Sequence, residues 1–368
     1  MDIVREMSLV NTNLVTTYNT NIINTFPPNI KKIYKTIAES QSSEYDPEFS
    51  SKNTTLIKLI KNNFKISKPL ADFISGPYTL TYHTSKKYNK NIYVFGERHG
   101  FKNNCDPLNI PNTMSIVEYL KQLFINTNVF IDFYLEEWRF TENITGTFYI
   151  DKLRSMAQNC IRQENCEYPL IRAHYFDLRQ SSLLFTMYRN ISTFKQLPPK
   201  QLELINNIMD VWDWEQFYAF INIDLKVKFL EKEILRSDIN SKVLYVLFDR
   251  ILVSNKKYYQ QLKNSLKLYV KTRDPKYIPI IGENVVRYGM ITDIYLLARM
   301  FKTFTNKKNI NHPEKPYNII VYTGDIHART NRSFLKLLGF QEHYKATHKD
   351  LRCLDMANIN QPLFTDTN

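Results

Sequence analysis

Two apolar runs end in the same way. Asn91–Phe95 leads into Gly96-Glu97-Arg98-His99-Gly100, and Tyr317–Tyr322 leads through Thr323 into Gly324-Asp325-Ile326-His327. Two more runs end in charge: Val129–Leu135 in Glu136-Glu137, and Pro169–Phe176 in Asp177-Leu178-Arg179. A carboxylate and an imidazole two positions apart can serve as a general base with its orienter, or as oxygen and nitrogen ligands of one divalent metal. The candidate catalytic set is therefore Glu97, His99, Glu136, Glu137, Asp325 and His327. Within it His99, His327 and Glu136 are the candidate ligands of a cation that would activate water. Arg98, Arg139, Arg179 and Arg329, together with Asp177, form the expected substrate-binding side, because guanidinium groups receive anionic groups bidentately. The competing structural role for Glu97, Asp325 and the arginines is an ion-pair network that closes the end of a sheet. Of only 8 glycines in the chain, Gly96, Gly100 and Gly324 flank the two histidine motifs. Such positions allow sharp turns or close backbone approach.

Those residues need strands to carry them. Tyr78–Tyr82 and Asn91–Phe95 alternate as a hairpin, Ile116–Phe124 has helical spacing, and strands are expected at Val129–Leu135, Pro169–Asp177 and Tyr317–Tyr322. Strands separated by helices predict an α/β fold with a mainly parallel central sheet flanked by helices. Ligands of such sheets bind at the carboxyl ends of the strands, where all four charged segments fall. Residues 181–306 read as almost continuous helix, a large helical insertion. The expected organisation is an N-terminal helical arm (1–70), a first part of the α/β core (71–180), the insertion (181–306), a second part of the core (307–357) and a frayed tail (358–368). No repeat of 20 to 50 residues is present.

The composition, 43% apolar and 14% aromatic, excludes wholesale disorder. The charge of +13, from 49 basic against 36 acidic side chains, is spread in pairs such as Lys31-Lys32 and Lys307-Lys308. With 36 Asn, 24 Tyr and 23 Phe it reads as a nucleotide-bias background, so no sequence-specific nucleic-acid binding is expected. No apolar stretch reaches membrane-span length and residues 1–10 lack a secretory pattern. A soluble, cytoplasmic protein without a signal peptide is the expectation. Cys105, Cys160, Cys166 and Cys353 contain no C-x-x-C pair and read as free thiols, although Cys160 and Cys166 could bridge in an oxidising compartment. His174 alternates away from Asp177 and Arg179 and reads as a satisfied sheet histidine, while His83, His312, His343 and His348 read as surface residues. P-loop, G-x-G-x-x-G and G-x-S-x-G motifs are absent, which argues against an NTPase, a dinucleotide enzyme and an ordinary α/β hydrolase.

Gly96 to His99 after a strand, an acid ending the next strand, and a late Gly-x-x-His followed by a helix and Leu337-Leu338-Gly339-Phe340 resemble the TraB/TIKI, ChaN and erythromycin-esterase superfamily. The resemblance covers about 91–140 and 317–350. It implies an α/β core and an activity among metal-dependent peptidases, esterases or a haem-binding protein, with His99 and His327 as paired histidines. The G-x-x-H spacing is closer to the TraB/TIKI and ChaN branches, which argues against macrolide hydrolysis. Such domains also look similar to proteins of large DNA viruses, which would place the chain in host cytoplasm or virion. The leading expectation is a hydrolase acting on an ester, peptide or phosphorylated small molecule, metal-assisted by a divalent ion. The alternatives are a non-catalytic structural or virion protein on a degenerate core, with protein partners bound through the helical insertion, and metal or haem binding without turnover, haem being the less favoured ligand.

Overall fold

The computed structural model describes residues 71–98, 105, 110, 112–137, 149–162, 166–193, 195–224, 230–304, 312–347 and 353–364. The N-terminal arm, His99, Gly100, Arg139 and His348 lie outside the described residues. A short strand β1 (Phe73–Ser75) leads into β2 (Thr79–Ser85) and β3 (Lys90–Glu97). Asn89 closes the β2–β3 turn with φ 49°, a left-handed conformation that Asn tolerates better than most side chains. The chain continues through β4 (Thr113–Ser115), α1 (Ile116–Asn126), β5 (Ile131–Leu135), α2 (Tyr149–Arg162) and β6 (Ile171–Tyr175).

The next stretch is helical: α3 (Leu183–Ser192), α4 (Pro199–Asn206), α5 (Trp214–Ile221), α6 (Glu231–Ile234), α7 (Ser241–Ser254), α8 (Tyr259–Thr272), α9 (Tyr277–Tyr288) and α10 (Ile291–Met300). Then come β7 (Asn318–Gly324), α11 (Asp325–Leu337), β8 (Gln341–Thr347) and β9 (Cys353–Asp355).

The main sheet has the order β6-β5-β7-β3-β2-β8. The pairs β6–β5, β5–β7 and β7–β3 are parallel, whereas β3–β2 and β2–β8 are antiparallel. The sheet is thus mixed, and the expectation of a mainly parallel one is met only in part, over β6, β5, β7 and β3. A turn as short as that between β2 and β3 can only return antiparallel, and β8 then adds to the outer edge of β2. A second sheet, β4-β1-β9, was not foreseen, because strands of three residues are too short to show alternation.

Side chains alternate between two covered faces. Tyr93, Phe95, Phe133, Ile320 and Tyr322 pack under α1 and α2, while Ile92, Val94, Tyr134, Ile319 and Val321 share one core with the helices from α3 to α11. The helical region therefore completes one face of the sheet. It is also less continuous than its sequence suggests. Between α9 and α10 the chain breaks at Gly289, where a Cβ would lie 2.8 Å from the Cγ and Cδ of Arg179.

Three further expectations are overturned. All cysteines are paired, as Cys105–Cys353 and Cys160–Cys166, with Cα separations of 5.4 and 4.4 Å. Sequence spacing cannot reveal that residues 248 apart are neighbours. On chain-entropy grounds the long bridge is worth about 5 kcal/mol and the short one about 2 kcal/mol. The argument from free thiols to a reducing cytoplasm falls with them. The tail is not frayed through 364: Leu363 and Phe364 are buried, and the Phe364 ring meets Tyr93 at 5.2 Å. His83 is not a surface residue. It lies buried on β2 against the Thr81 hydroxyl at 2.9 Å, and burial first, then Arg332, pushes its pKa down to about 4. Among the described residues no helix is long and apolar enough to cross a membrane.

Candidate functional site

The strand order sets the carboxyl ends of β6, β5, β7 and β3 side by side, so Asp177 and Arg179, Glu136, the Gly324–His327 turn and Glu97 follow one another along the edge. Glu136 is the centre. Its backbone N–H bonds the Tyr322 carbonyl at 3.0 Å, which extends the ladder one residue past β5. By the two-residue alternation its side chain shares the face of Asp132 and Tyr134. Oε2 accepts the Thr323 hydroxyl and the Gly324 N–H, both at 2.6 Å, and Oε1 accepts Arg179 Nη2 at 2.5 Å. Gly324 is the N-cap of α11, so this carboxylate also meets the positive end of a helix. Burial alone would raise the pKa of Glu136. His327, Arg179 and the two hydrogen bonds outweigh it and bring it down to about 2.

His327 sits in the first turn of α11 and is buried. Its Nδ1 meets Asp293 Oδ1 and Oδ2 at 3.0 and 3.1 Å, and its Nε2 lies 3.4 Å from Glu136 Oε1. Burial disfavours the imidazolium, but Asp293 and Glu136 outweigh it and push the pKa up to about 9. Burial also raises the Asp293 carboxyl, against the opposing pull of His327. Asn331 Nδ2 donates to Asp293 Oδ1 at 2.9 Å. Arg179 is held by Asp177 through Nε at 2.9 Å and Nη2 at 3.0 Å, and Leu178 N–H is accepted by Thr292 Oγ1 at 3.2 Å.

Of the residues singled out in the sequence, Glu136, His327, Arg179 and Asp177 come together. Glu97 is buried toward the opposite face, where it accepts the Tyr322 hydroxyl at 2.6 Å. Glu137 accepts Arg154 of α2 at 3.0 Å. Asp325 accepts the Thr79 hydroxyl at 2.8 Å and pairs with Arg329, toward β2. There it also explains Gly96, whose Cβ would lie 2.4 Å from Thr79 Oγ1 and 2.8 Å from Asp325 Oδ1. Arg98 is exposed, over the Tyr78 ring at 4.7 Å. His99 and Arg139 lie outside the described residues.

Asp293, Thr292 and Asn331 had not been foreseen. A signal existed for Asp293: an acid among Ile291, Ile294 and Leu297 of an apolar helix must find a partner when it is buried.

The described residues do not fit a metal centre. Both Glu136 oxygens already accept donors, the Arg179 guanidinium stands where a cation would bind Oε1, and no group of three His, Cys, Asp or Glu with ligand geometry occurs among the described residues. What the arrangement offers is a buried carboxylate–imidazole–carboxylate line with an arginine against its second carboxylate.

No family model, curated protein or solved structure matches the chain.

Proposed function

We propose that the protein is a hydrolase in which His327, set between Asp293 and Glu136, is the proton donor. The observation that carries this reading is the Nε2–Oε1 distance of 3.4 Å. It is longer than a good N–H···O bond, so the Nε2 proton of a charged His327 remains available to a substrate. In hydrolysis of an ester, peptide or phosphorylated small molecule, that proton goes to the leaving oxygen or nitrogen. Glu136 and Asp293 keep the ring oriented throughout, and Arg179 supplies positive charge for an oxyanion. The base that activates water is assigned to His99, from its place two residues after Glu97. The reading agrees with the resemblance of the two G-x-x-H motifs to the TraB/TIKI, ChaN and erythromycin-esterase superfamily, in its hydrolytic rather than its haem-binding members.

The test is a panel of p-nitrophenyl esters, peptides and phosphomonoesters, with the whole protein. His327→Gln, Glu136→Gln and His99→Ala should each lower turnover of the same substrate by about 10²- to 10⁴-fold, the usual contribution of general acid–base catalysis. Their unfolding transitions should remain cooperative. Wild-type protein inert toward all three classes would sink the proposal.

One observation favours a second reading, an ion-pair network that closes the sheet. The side chains of His327 and Glu136 are only 5% and 2% exposed. On that reading the same substitutions lower stability and no turnover exists to lose.

A further inference from the structure

Asn331 stands one helical turn after His327 on α11, fully buried at 0% exposure. It interrupts an apolar stripe formed by Ala328, Phe334 and Leu335, which pack into the core under the helical face. An apolar side chain there would continue the stripe, and a buried amide is worth keeping only for its hydrogen bonds. Asn331 uses both hydrogens of Nδ2, one to Asp293 Oδ1 at 2.9 Å and one to the His327 carbonyl at 2.8 Å. Both partners accept, so the orientation of the amide is determined and its oxygen cannot take the place of its nitrogen.

Asp293 lies within electrostatic reach of Arg179 as well as His327. A carboxylate free to rotate between two cations would not hold the imidazole in one orientation. We propose that Asn331 is a positioning residue. It clamps Asp293 so that the carboxylate takes Nδ1 of His327 and leaves Nε2 directed at Glu136. Its effect on rate rests on the hydrolase reading, whereas its effect on the Asp293–His327 hydrogen bond does not.

Proton NMR reads that bond directly, because an Nδ1–H shared with a buried carboxylate resonates far downfield. The wild-type protein should show this resonance. Asn331→Leu, which removes both donors, and Asn331→Asp, which keeps the shape but turns a carboxylate toward Asp293, should each shift or broaden it. Turnover by both variants should fall about tenfold in kcat with KM nearly unchanged, and Asn331→Leu should add nothing in an Asp293→Asn background, because the two residues act as one unit. If Asn331→Leu fails to fold, Asn331→Asp decides alone. The proposal is overturned if the resonance is absent from the wild type, if it persists unshifted in the variants, or if the two substitutions combine additively. Should no substrate be turned over, the resonance still decides on Asn331 while the hydrolase reading fails by itself.

Discussion

His327 and His174 are both buried on the helical side of the sheet, each with an aspartate on one ring nitrogen, at 3.0 Å for Asp293 and 2.9 Å for Asp132. They mark two levels of one strand, since Asp132 and Glu136 are four residues, or about 13 Å, apart along β5. Yet the protein holds them in opposite protonation states. The second nitrogen explains why. His174 Nδ1 faces Arg299 Nη2 at 3.1 Å and must accept, so the ring is neutral. Burial first, then Arg299 and Arg172, bring its pKa down to about 3 against the opposing pull of Asp132. His327 Nε2 faces the acceptor Glu136, keeps its hydrogen and is charged.

The same residue pair thus gives two outcomes. In the His174 group both ring nitrogens and both Asp132 oxygens are engaged: Arg172 grips Asp132 at 2.6 and 3.1 Å, and the imidazole stacks between Tyr134 and Phe304 at 4.5 and 5.2 Å. Its work is to hold β5, β6 and α10 together. The His327 group keeps one long contact, His327 Nε2 to Glu136 Oε1 at 3.4 Å.

The comparison can be broken most severely at Asp132. Asp132→Ala leaves the buried Arg172 without its carboxylate partner and should cost about 3 to 5 kcal/mol in chemical denaturation. Asp293→Ala should cost less than half of that, because His327 retains Glu136 and can release its proton. Equal losses would show that the His327 group is merely another structural brace.

Stability against pH sharpens the contrast. His174 has a folded pKa of about 3, below its unfolded value near 6.5, so the unfolded chain takes the proton first and stability falls as pH drops from about 6.5 toward 3. His327 is raised to about 9, so its contribution is complete below about 6.5 and is lost as pH rises through 9. Glu136, lowered to about 2, contributes above about 4.5 and loses that contribution as pH falls through 2. Urea melts across pH should therefore find the acid limb flattened by His174→Phe and the alkaline limb flattened by His327→Gln. Exchanged effects would contradict the assignment.

The smallest expected effect is at Thr292, where Thr292→Val removes the acceptor for Leu178 N–H. A loss of about 1 kcal/mol is expected from denaturant melts. Arg179, one residue on, should loosen enough to lower turnover only a few-fold.

The strand ends were legible because apolar runs that stop at charged residues announce the edge of an α/β sheet, and Glu136, Asp177, Arg179 and His327 lie on that edge. Pairing Asp325 with His327 failed for a geometric reason. The helix begins at Asp325 and so includes His327, and residues two apart on a helix point about 200° away from each other. Asp325 therefore turns to Thr79 while His327 turns to Asp293. Glu136 and Glu137, adjacent at a strand end, diverge by alternation. Asp293 and Asn331 were hidden because they lie on two different helices, and a sequence read one element at a time cannot show that the two helices face each other. The long disulfide was invisible for the same reason, since only the fold brings Cys105 to Cys353.

The most direct measurement is the protonation of the ring nitrogens of His327 and His174, read by nitrogen NMR across pH with His327→Gln and His174→Phe to assign the signals. The account predicts an imidazolium at His327 that persists until about pH 9 and a neutral ring at His174 that persists down to about pH 3. Two histidines that titrate together near 6.5, or a neutral His327 at pH 7, would contradict it.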